Sequence, residues 1–348
     1  MTQIRIDLYS DTKTRPVPEM RRAIAEAVVG DEQHHECPTT TALIERVAAL
    51  LGQETAMFLP SGTMANEIAV LVHCRPGDEI LAHESAHMVN AEGGAPAALA
   101  GATTRVLRGP RGLYDAAAVE AAQRVKGSKY EPRSRMLLVE QTANLAGGEV
   151  WPLEQMKSVV AKAREHGMAA HMDGARLMNA CVKSGIAPAE YASQFDTIYM
   201  DFTKGLGCPV GAVLVGKKEF IDQAWFWKQR IGGSMRQAGI VSAAALWALD
   251  HHVDRLAEDH ENAALLGAEL AKIDGITIEP VSTNIVFWDV AGTGLTAVEM
   301  LERLKQNGTR AGVHGKTRLR CVTHLDVDRS QILEFIQIVR DIVAKVQA

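Results

Sequence analysis

The sequence places one lysine where an amine can be put to chemical use. Ile198-Tyr199-Met200-Asp201-Phe202-Thr203-Lys204-Gly205-Leu206-Gly207-Cys208-Pro209-Val210-Gly211 is an apolar, β-prone run that carries Lys204 into a glycine-rich turn. Lysines are rarely buried unless paired, and burial disfavours the charged form. Lys204 is therefore either a solvated group at a strand tip or an amine held for Schiff-base chemistry with a carbonyl compound. Upstream, His171-Met172-Asp173-Gly174-Ala175-Arg176-Leu177 follows the apolar Met168-Ala169-Ala170. It sets Asp173 and Arg176 where another strand gives way to a helix. Ligands of open α/β sheets gather at the carboxyl ends of strands. A Schiff-base lysine and an aspartate for a pyridine nitrogen are the pair that pyridoxal phosphate uses.

The elements that must position these groups follow from periodicity. Ala56-Met57-Phe58-Leu59 reads as a strand, and Pro60-Ser61-Gly62-Thr63 turns it into a helix through Met64, Ile68 and Leu71. Free amides and hydroxyls at such a helix start suit a phosphate, although Ser and Thr also cap helices of every kind. Glu79–Ala82 predicts a strand that delivers His83, Glu84 and His87 to its end. Met136–Val139 predicts a buried strand leading to Glu140-Gln141-Thr142-Ala143-Asn144. Strands alternating with helices over residues 56–215 predict a doubly wound α/β domain with a mostly parallel sheet. The short glycine link from Lys204 to Ala212-Val213-Leu214-Val215 predicts an antiparallel neighbour there. Helices are expected over 18–29 (stopped by Gly30), 40–51, 240–255 and 262–273. Strands near 276, 285–288 and 319–322 with helices near 296–307 and 329–346 predict a smaller α+β domain. The expected division is an arm over 1–15, a large domain over 16–248 and a small one over 249–348.

Composition narrows the classes of function. The chain has 348 residues, is 47% hydrophobic and carries a net charge of −5, which disfavours nucleic-acid and anionic-membrane partners. Arg5, Asp7 and Asp11 interrupt any apolar leader, and no stretch is apolar enough to span a bilayer. Cys37, Cys74, Cys181, Cys208 and Cys321 are scattered without a Cys-x-x-Cys pair, as expected of reduced thiols in a cytoplasmic protein. Neither they nor His34-His35-Glu36-Cys37, four adjacent residues that rarely converge on one ion, predict a metal site.

Taken in order, these stretches resemble the threonine aldolase / β-eliminating lyase family of pyridoxal-phosphate enzymes. They begin at Asp7-Leu8-Tyr9-Ser10-Asp11-Thr12 and run through Val29-Gly30-Asp31, Pro60–Asn66, His171–Arg176 and Lys204–Gly211. They end with Gly233-Ser234-Met235-Arg236-Gln237-Ala238-Gly239 and Arg320-Cys321-Val322-Thr323-His324. The resemblance implies the type I fold, a mostly parallel seven-stranded sheet between helices, in a homo-oligomer (a dimer, or the homotetramer) that shares active sites between subunits. It implies pyridoxal phosphate bonded to Lys204, with Asp173 on the ring nitrogen and His87 stacked on the ring. Ser61, Gly62, Thr63 and a neighbouring subunit's Arg236 would meet the phosphate. Ser10, Arg176 and Arg320 would hold the carboxylate of a small amino-acid substrate.

The expected reaction is aldol cleavage of a β-hydroxy-α-amino acid to glycine and an aldehyde. The same cofactor also serves β-elimination or dehydration, racemisation and transamination, and a non-catalytic descendant would be expected to lose Lys204, Asp173 or Arg320. Two departures bear on the side-chain pocket. His34-His35 replaces the family's Tyr-Gly, and Ala143 stands where the family has a histidine near the β-hydroxyl. His87, His34 and His35 are therefore the candidate bases. Room vacated at Ala143 would suit a larger or more polar β-substituent than threonine's.

Overall fold

The computed structural model describes residues 3–347. Among the described residues thirteen strands form three sheets, and each strand's place follows from its burial pattern. β1 is Ile6–Asp7, β2 Thr55–Leu59, β3 Asp78–His83, β4 Thr103–Leu107, β5 Arg133–Glu140, β6 Ala169–Gly174, β7 Thr197–Asp201 and β8 Ala212–Gly216. β9 is Thr277–Ile278, β10 Ile285–Asp289, β11 Thr309–Arg310, β12 Gly312–Val313 and β13 Arg318–Val322.

The seven-stranded sheet has the order β2-β8-β7-β6-β5-β3-β4. Only β8 runs against the rest: it is antiparallel to both β2 and β7, while the pairs from β7 to β4 are parallel. The antiparallel return after Lys204 is thus as the short glycine link predicts. Both faces are covered, as a mainly parallel sheet requires. Along β2 and β8, Phe58, Val213 and Val215 join the core on one face. Met57, Leu59, Ala212 and Leu214 join the core on the other. That alternation is the period-2 pleat expressed as burial on both sides.

A second, antiparallel sheet has the order β12-β13-β10-β9. Its core of Val286, Trp288, Leu319, Cys321, Phe335 and Ile336 also takes in Ile6 and Leu8 from the start of the described chain. β1 pairs in parallel with β11, which anchors the residues leading to Ser10 and Asp11.

Helix boundaries depart from periodicity in two informative places. The first helix spans Pro18–Ala25 and stops short of Val28 and Val29. Gly30 does not end it; a Cβ there would lie 2.1 Å from the Glu36 carbonyl oxygen, so Gly30 serves a close crossing of two backbone segments. The stretch read as helices over 240–255 and 262–273 divides instead into Gly239–His251 and Leu256–Leu270. The break falls at residues 252–255, where His252 turns inward and its Nδ1 lies 2.7 Å from the Leu206 carbonyl. No helix among the described residues is long and apolar enough to cross a membrane.

Candidate active site

The carboxyl ends of β2, β3, β5, β6 and β7 deliver Ser61, His87, Glu140, Asp173 and Lys204 to one edge of the sheet. Lys204 lies just past β7, with its side chain 18% exposed and Nζ donating to Asp201 Oδ2 at 2.8 Å. Asp201 Oδ1 accepts from the Thr203 amide and hydroxyl, both at 2.6 Å, and Thr14 Oγ1 donates to the Lys204 carbonyl at 3.0 Å. The strand end is therefore held rigidly around the amine.

Asp173 is fully buried at the end of β6. Asn66 Nδ2 donates to its Oδ2 at 3.0 Å and the Ala175 amide to its Oδ1 at 3.1 Å. Asn66 is itself oriented by His171 Nε2, 3.1 Å from its Oδ1. Polar atoms of Asp173, His87 and Glu92 all approach within 4.8 Å of one another. The His87 ring is 38% exposed, and its Nδ1 lies 2.8 Å from Glu92 Oε1. That bond, with further attraction from Asp173 and Glu140, raises the His87 pKa. Glu140 accepts from the His87 and Asn144 amides. Burial and the Asp173 charge push its carboxyl up to about 7.

The Gly62–His73 helix starts beside this lysine. Ser61 Oγ accepts from the Met64 amide at 3.2 Å, and no acceptor among the described residues meets the Gly62 or Thr63 amide. A Cβ on Gly62 would sit 2.7 Å from Tyr199 Cε2 and 2.9 Å from Asp201 Oδ2. Glycine is what lets the helix start approach β7 this closely.

Two arginines meet on the far side of Lys204. Arg176 is fixed by Asp11 through two bonds of 2.7 Å. The Arg176 guanidinium and Lys204 hold the Asp11 carboxyl far below the usual carboxylate range against its own burial. Asn284 Nδ2 adds a third donor to Asp11 at 3.1 Å. Arg320 is 8% exposed, and among the described residues no carboxylate bonds to it. Its NH1 reaches Asn144 Oδ1 at 3.2 Å, its NH2 the Tyr9 carbonyl at 3.4 Å, and its Nε has no partner. Arg176 NH1 also points at Asn144 Oδ1, at 3.4 Å. Ser10 is buried nearby in sequence, its Oγ bonded to Thr12.

His34, His35 and Arg236 lie elsewhere, on an exposed surface of the chain. Arg236 pairs with Asp31 at 2.8 Å with its side chain 60% exposed, and the Glu32 amide donates to the Arg236 carbonyl. His35 packs edge-on against Trp225. Cys37 is buried, accepting from the Gly239 amide and the Thr40 hydroxyl. Within one chain these groups do not touch Lys204, Asp173 or His87.

Ala143 corrects one expectation. It is buried, and a Cβ on Gly112 would come within 2.7 Å of its methyl group and 2.9 Å of Ala146. Only about 10 Å³ is free among His83, Ser85, Tyr114, Leu138, Glu140, Ala143 and Trp151. Little free space is left around Ala143 itself, because the Pro110–Gly112 turn packs against it. A wider cleft of about 830 Å³ opens at the other end of the sheet, lined by Arg75, Arg133, Arg135 and Lys217. None of the side chains described above lines it.

Asp11, Asn66, Glu92, Asn144 and Asp201 complete the site without having been singled out from the sequence. Asp11 and Asn66 stand inside the motifs quoted above; Glu92 stands five residues after His87, which alone marks nothing.

The residues fit a pyridoxal-type group: an amine, a buried carboxylate with a neighbouring ring, and unpaired amides for a phosphate converge on one edge. Fold and site define an α/β enzyme organised around a lysine amine. The chain belongs to the β-eliminating lyase family, whose characteristic sequence it matches over residues 7–293. It is 36% identical over 338 residues to Low-specificity L-threonine aldolase 1 of Arabidopsis thaliana, covering 95% of this chain and 94% of that one. A Leishmania major threonine aldolase structure superposes with a TM-score of 0.83 at 22% identity, covering 97% of this chain and 99% of that one. An SPT solved with PLP as its internal aldimine superposes with a TM-score of 0.76 at 17% identity, over 99% and 88% of the two chains.

Proposed function

We propose that the chain is a pyridoxal-phosphate-dependent aldolase that cleaves a β-hydroxy-α-amino acid to glycine and an aldehyde. The observation that carries this reading is the convergence of Lys204, Asp173 and the unpaired Gly62 and Thr63 amides on one sheet edge, beside a buried Arg320 without a counter-ion. Family membership and the aldolase names of its relatives support it.

Lys204 Nζ would hold the cofactor's carbonyl carbon, Asp173 its ring nitrogen, and Ser61, Gly62 and Thr63 its phosphate. When bound, pyridoxal phosphate supplies an electron sink for bonds at the substrate's α-carbon. Everything else falls to the chain. A buried carboxylate at Asp173 would favour protonation of a ring nitrogen held beside it. Arg320 presents free guanidinium donors to the α-carboxylate, where a planar fork binds in bidentate fashion. Arg176, already neutralised by Asp11, shapes the same subsite with Ser10. His87, its Nδ1 bonded to Glu92, offers Nε2 for the β-hydroxyl proton.

His34, His35 and Arg236 are assigned to the site of a neighbouring subunit in a homo-oligomer. Their exposure on one surface, where the 31–36 and 232–237 segments meet, supports that assignment.

Purified protein reconstituted with the cofactor tests the reading. Borohydride reduction should fix a pyridoxyl group on Lys204, and β-hydroxy-α-amino acids should yield aldehyde and glycine in equal amounts. Label on another lysine would remove Lys204. Keto acid and ammonia in place of aldehyde and glycine would make the reaction an elimination.

A further inference from the structure

Beside Glu92 lies an acid that the site as described leaves without a task. Glu67 follows Asn66 on the Gly62–His73 helix, and it is 2% exposed. Neither of its carboxyl oxygens meets a donor among the described residues. An ionised carboxylate so isolated is costly enough that such groups take up a proton. Glu92 has the complementary deficiency. Its Oε1 accepts from His87 Nδ1 and from Asn66 Nδ2, each at 2.8 Å, while its buried Oε2 meets no donor. Burial and the neighbouring Glu92 carboxyl together push the Glu67 carboxyl up to about 8. A single proton on Glu67 supplies the donor that Glu92 Oε2 lacks.

We infer that Glu67 is a neutral carboxylic acid whose hydroxyl donates to Glu92 Oε2, completing a Glu67–Glu92–His87 chain that keeps His87 Nδ1 as an N–H and leaves Nε2 as the proton acceptor. The role of His87 rests on the proposed aldolase reading; the state of Glu67 does not. In this chain a proton taken at Nε2 produces an imidazolium next to the Glu92 carboxylate. The proton returns from the same nitrogen, while the Glu67 proton stays in place. Glu67 is thus a positioning residue. The other ionisable groups acting on this cluster are Asp173 and Glu140 on His87, and Tyr199 on the Glu92 side. His171 is linked to it through Asn66. Asp173 and Glu140 are acids, so a second negative charge on Glu67 would tighten the hold on the His87 proton as the solution becomes alkaline.

Infrared spectroscopy tests the chain with and without cofactor. At neutral pH the protein should show the C=O stretch of a protonated carboxylic acid that Glu67→Gln removes, fading as the pH passes about 8. Glu67→Leu, which leaves Glu92 Oε2 without a donor, should lower kcat/KM about tenfold. Glu67→Gln should recover most of that loss, because its amide donates, and should lack the alkaline change because it cannot titrate. Absence of the band, or a Glu67→Gln enzyme as impaired as Glu67→Leu, would overturn the inference. The band requires neither substrate nor turnover. A protein that shows it but cleaves no hydroxy amino acid would refute only the aldolase reading; an active aldolase without it would refute only this chain of acids.

Discussion

Asp11 and Arg176 are 165 positions apart in the chain yet share two hydrogen bonds of 2.7 Å. Removing one partner of a buried pair leaves the other charge uncompensated, which costs about 3–5 kcal/mol. Asp11→Ala is therefore expected to lower the thermal midpoint sharply, measured by calorimetry. The pair also sets a pH dependence. The folded-state pKa of Asp11 is depressed, so its stabilisation is present above the ordinary aspartate range near pH 4 and is lost as the pH falls below it. Asp11→Asn should flatten that acid limb of stability. Arg320 behaves differently because it has no carboxylate to lose. Arg320→Lys keeps the charge and removes the fork, so KM should rise about tenfold or more with a small change in thermal midpoint. An unchanged KM over several β-hydroxy-α-amino acids would take Arg320 out of the substrate site.

At the scale of elements, the turn into the Gly62–His73 helix is expected to govern cofactor retention. Gly62→Ala would drive a methyl group into Tyr199 and Asp201 and displace the amides proposed to meet the phosphate. Loss of one or two hydrogen bonds to a charged group is worth about 10-fold or more in affinity, which equilibrium dialysis of the pyridoxal form would read. Ala143→His tests the closed space over the Pro110–Gly112 turn. An imidazole there overpacks a buried site at a cost of about 1–3 kcal/mol, so the variant should be less stable and no better with threonine. A gain in threonine cleavage without loss of stability would reopen the pocket. These elements also show what the sequence could carry. Strand–glycine–helix turns are written locally, so Pro60–Thr63, Asp173–Gly174 and Lys204–Gly207 are legible as strand ends from the sequence alone. The break at residues 252–255 carries neither Gly nor Pro and depends on His252 bonding to Leu206 across the fold. The partners of Glu67, Asp11 and Ala143 are likewise set by tertiary packing, which no local pattern encodes.

At the scale of the whole molecule, the proposed sharing of sites between subunits needs a surface that could meet a second copy. Val28, Phe226 and Ile240 are exposed apolar residues at 67%, 66% and 47%. Gly239 packs against Val28 and Val29, which ties the 28–29 segment to the start of the Gly239–His251 helix. His35, Trp225 and the Arg236–Asp31 pair lie in the adjoining segments. Apolar side chains beside an exposed arginine, none of them in contact with this chain's own lysine site, fit a two-fold arrangement in which each subunit completes the other's site. Complementation between two inactive variants measures this directly. Lys204→Ala lacks the amine and Arg236→Ala lacks the group proposed to serve the neighbour, so each alone should be nearly inactive. After subunit exchange, random pairing puts both intact residues into about a quarter of the sites. Activity in the mixture should rise towards that fraction of the unaltered enzyme's, and only when exchange is allowed. A mixture that exchanges subunits but stays inactive would place Arg236 in the service of its own chain's site, or of none.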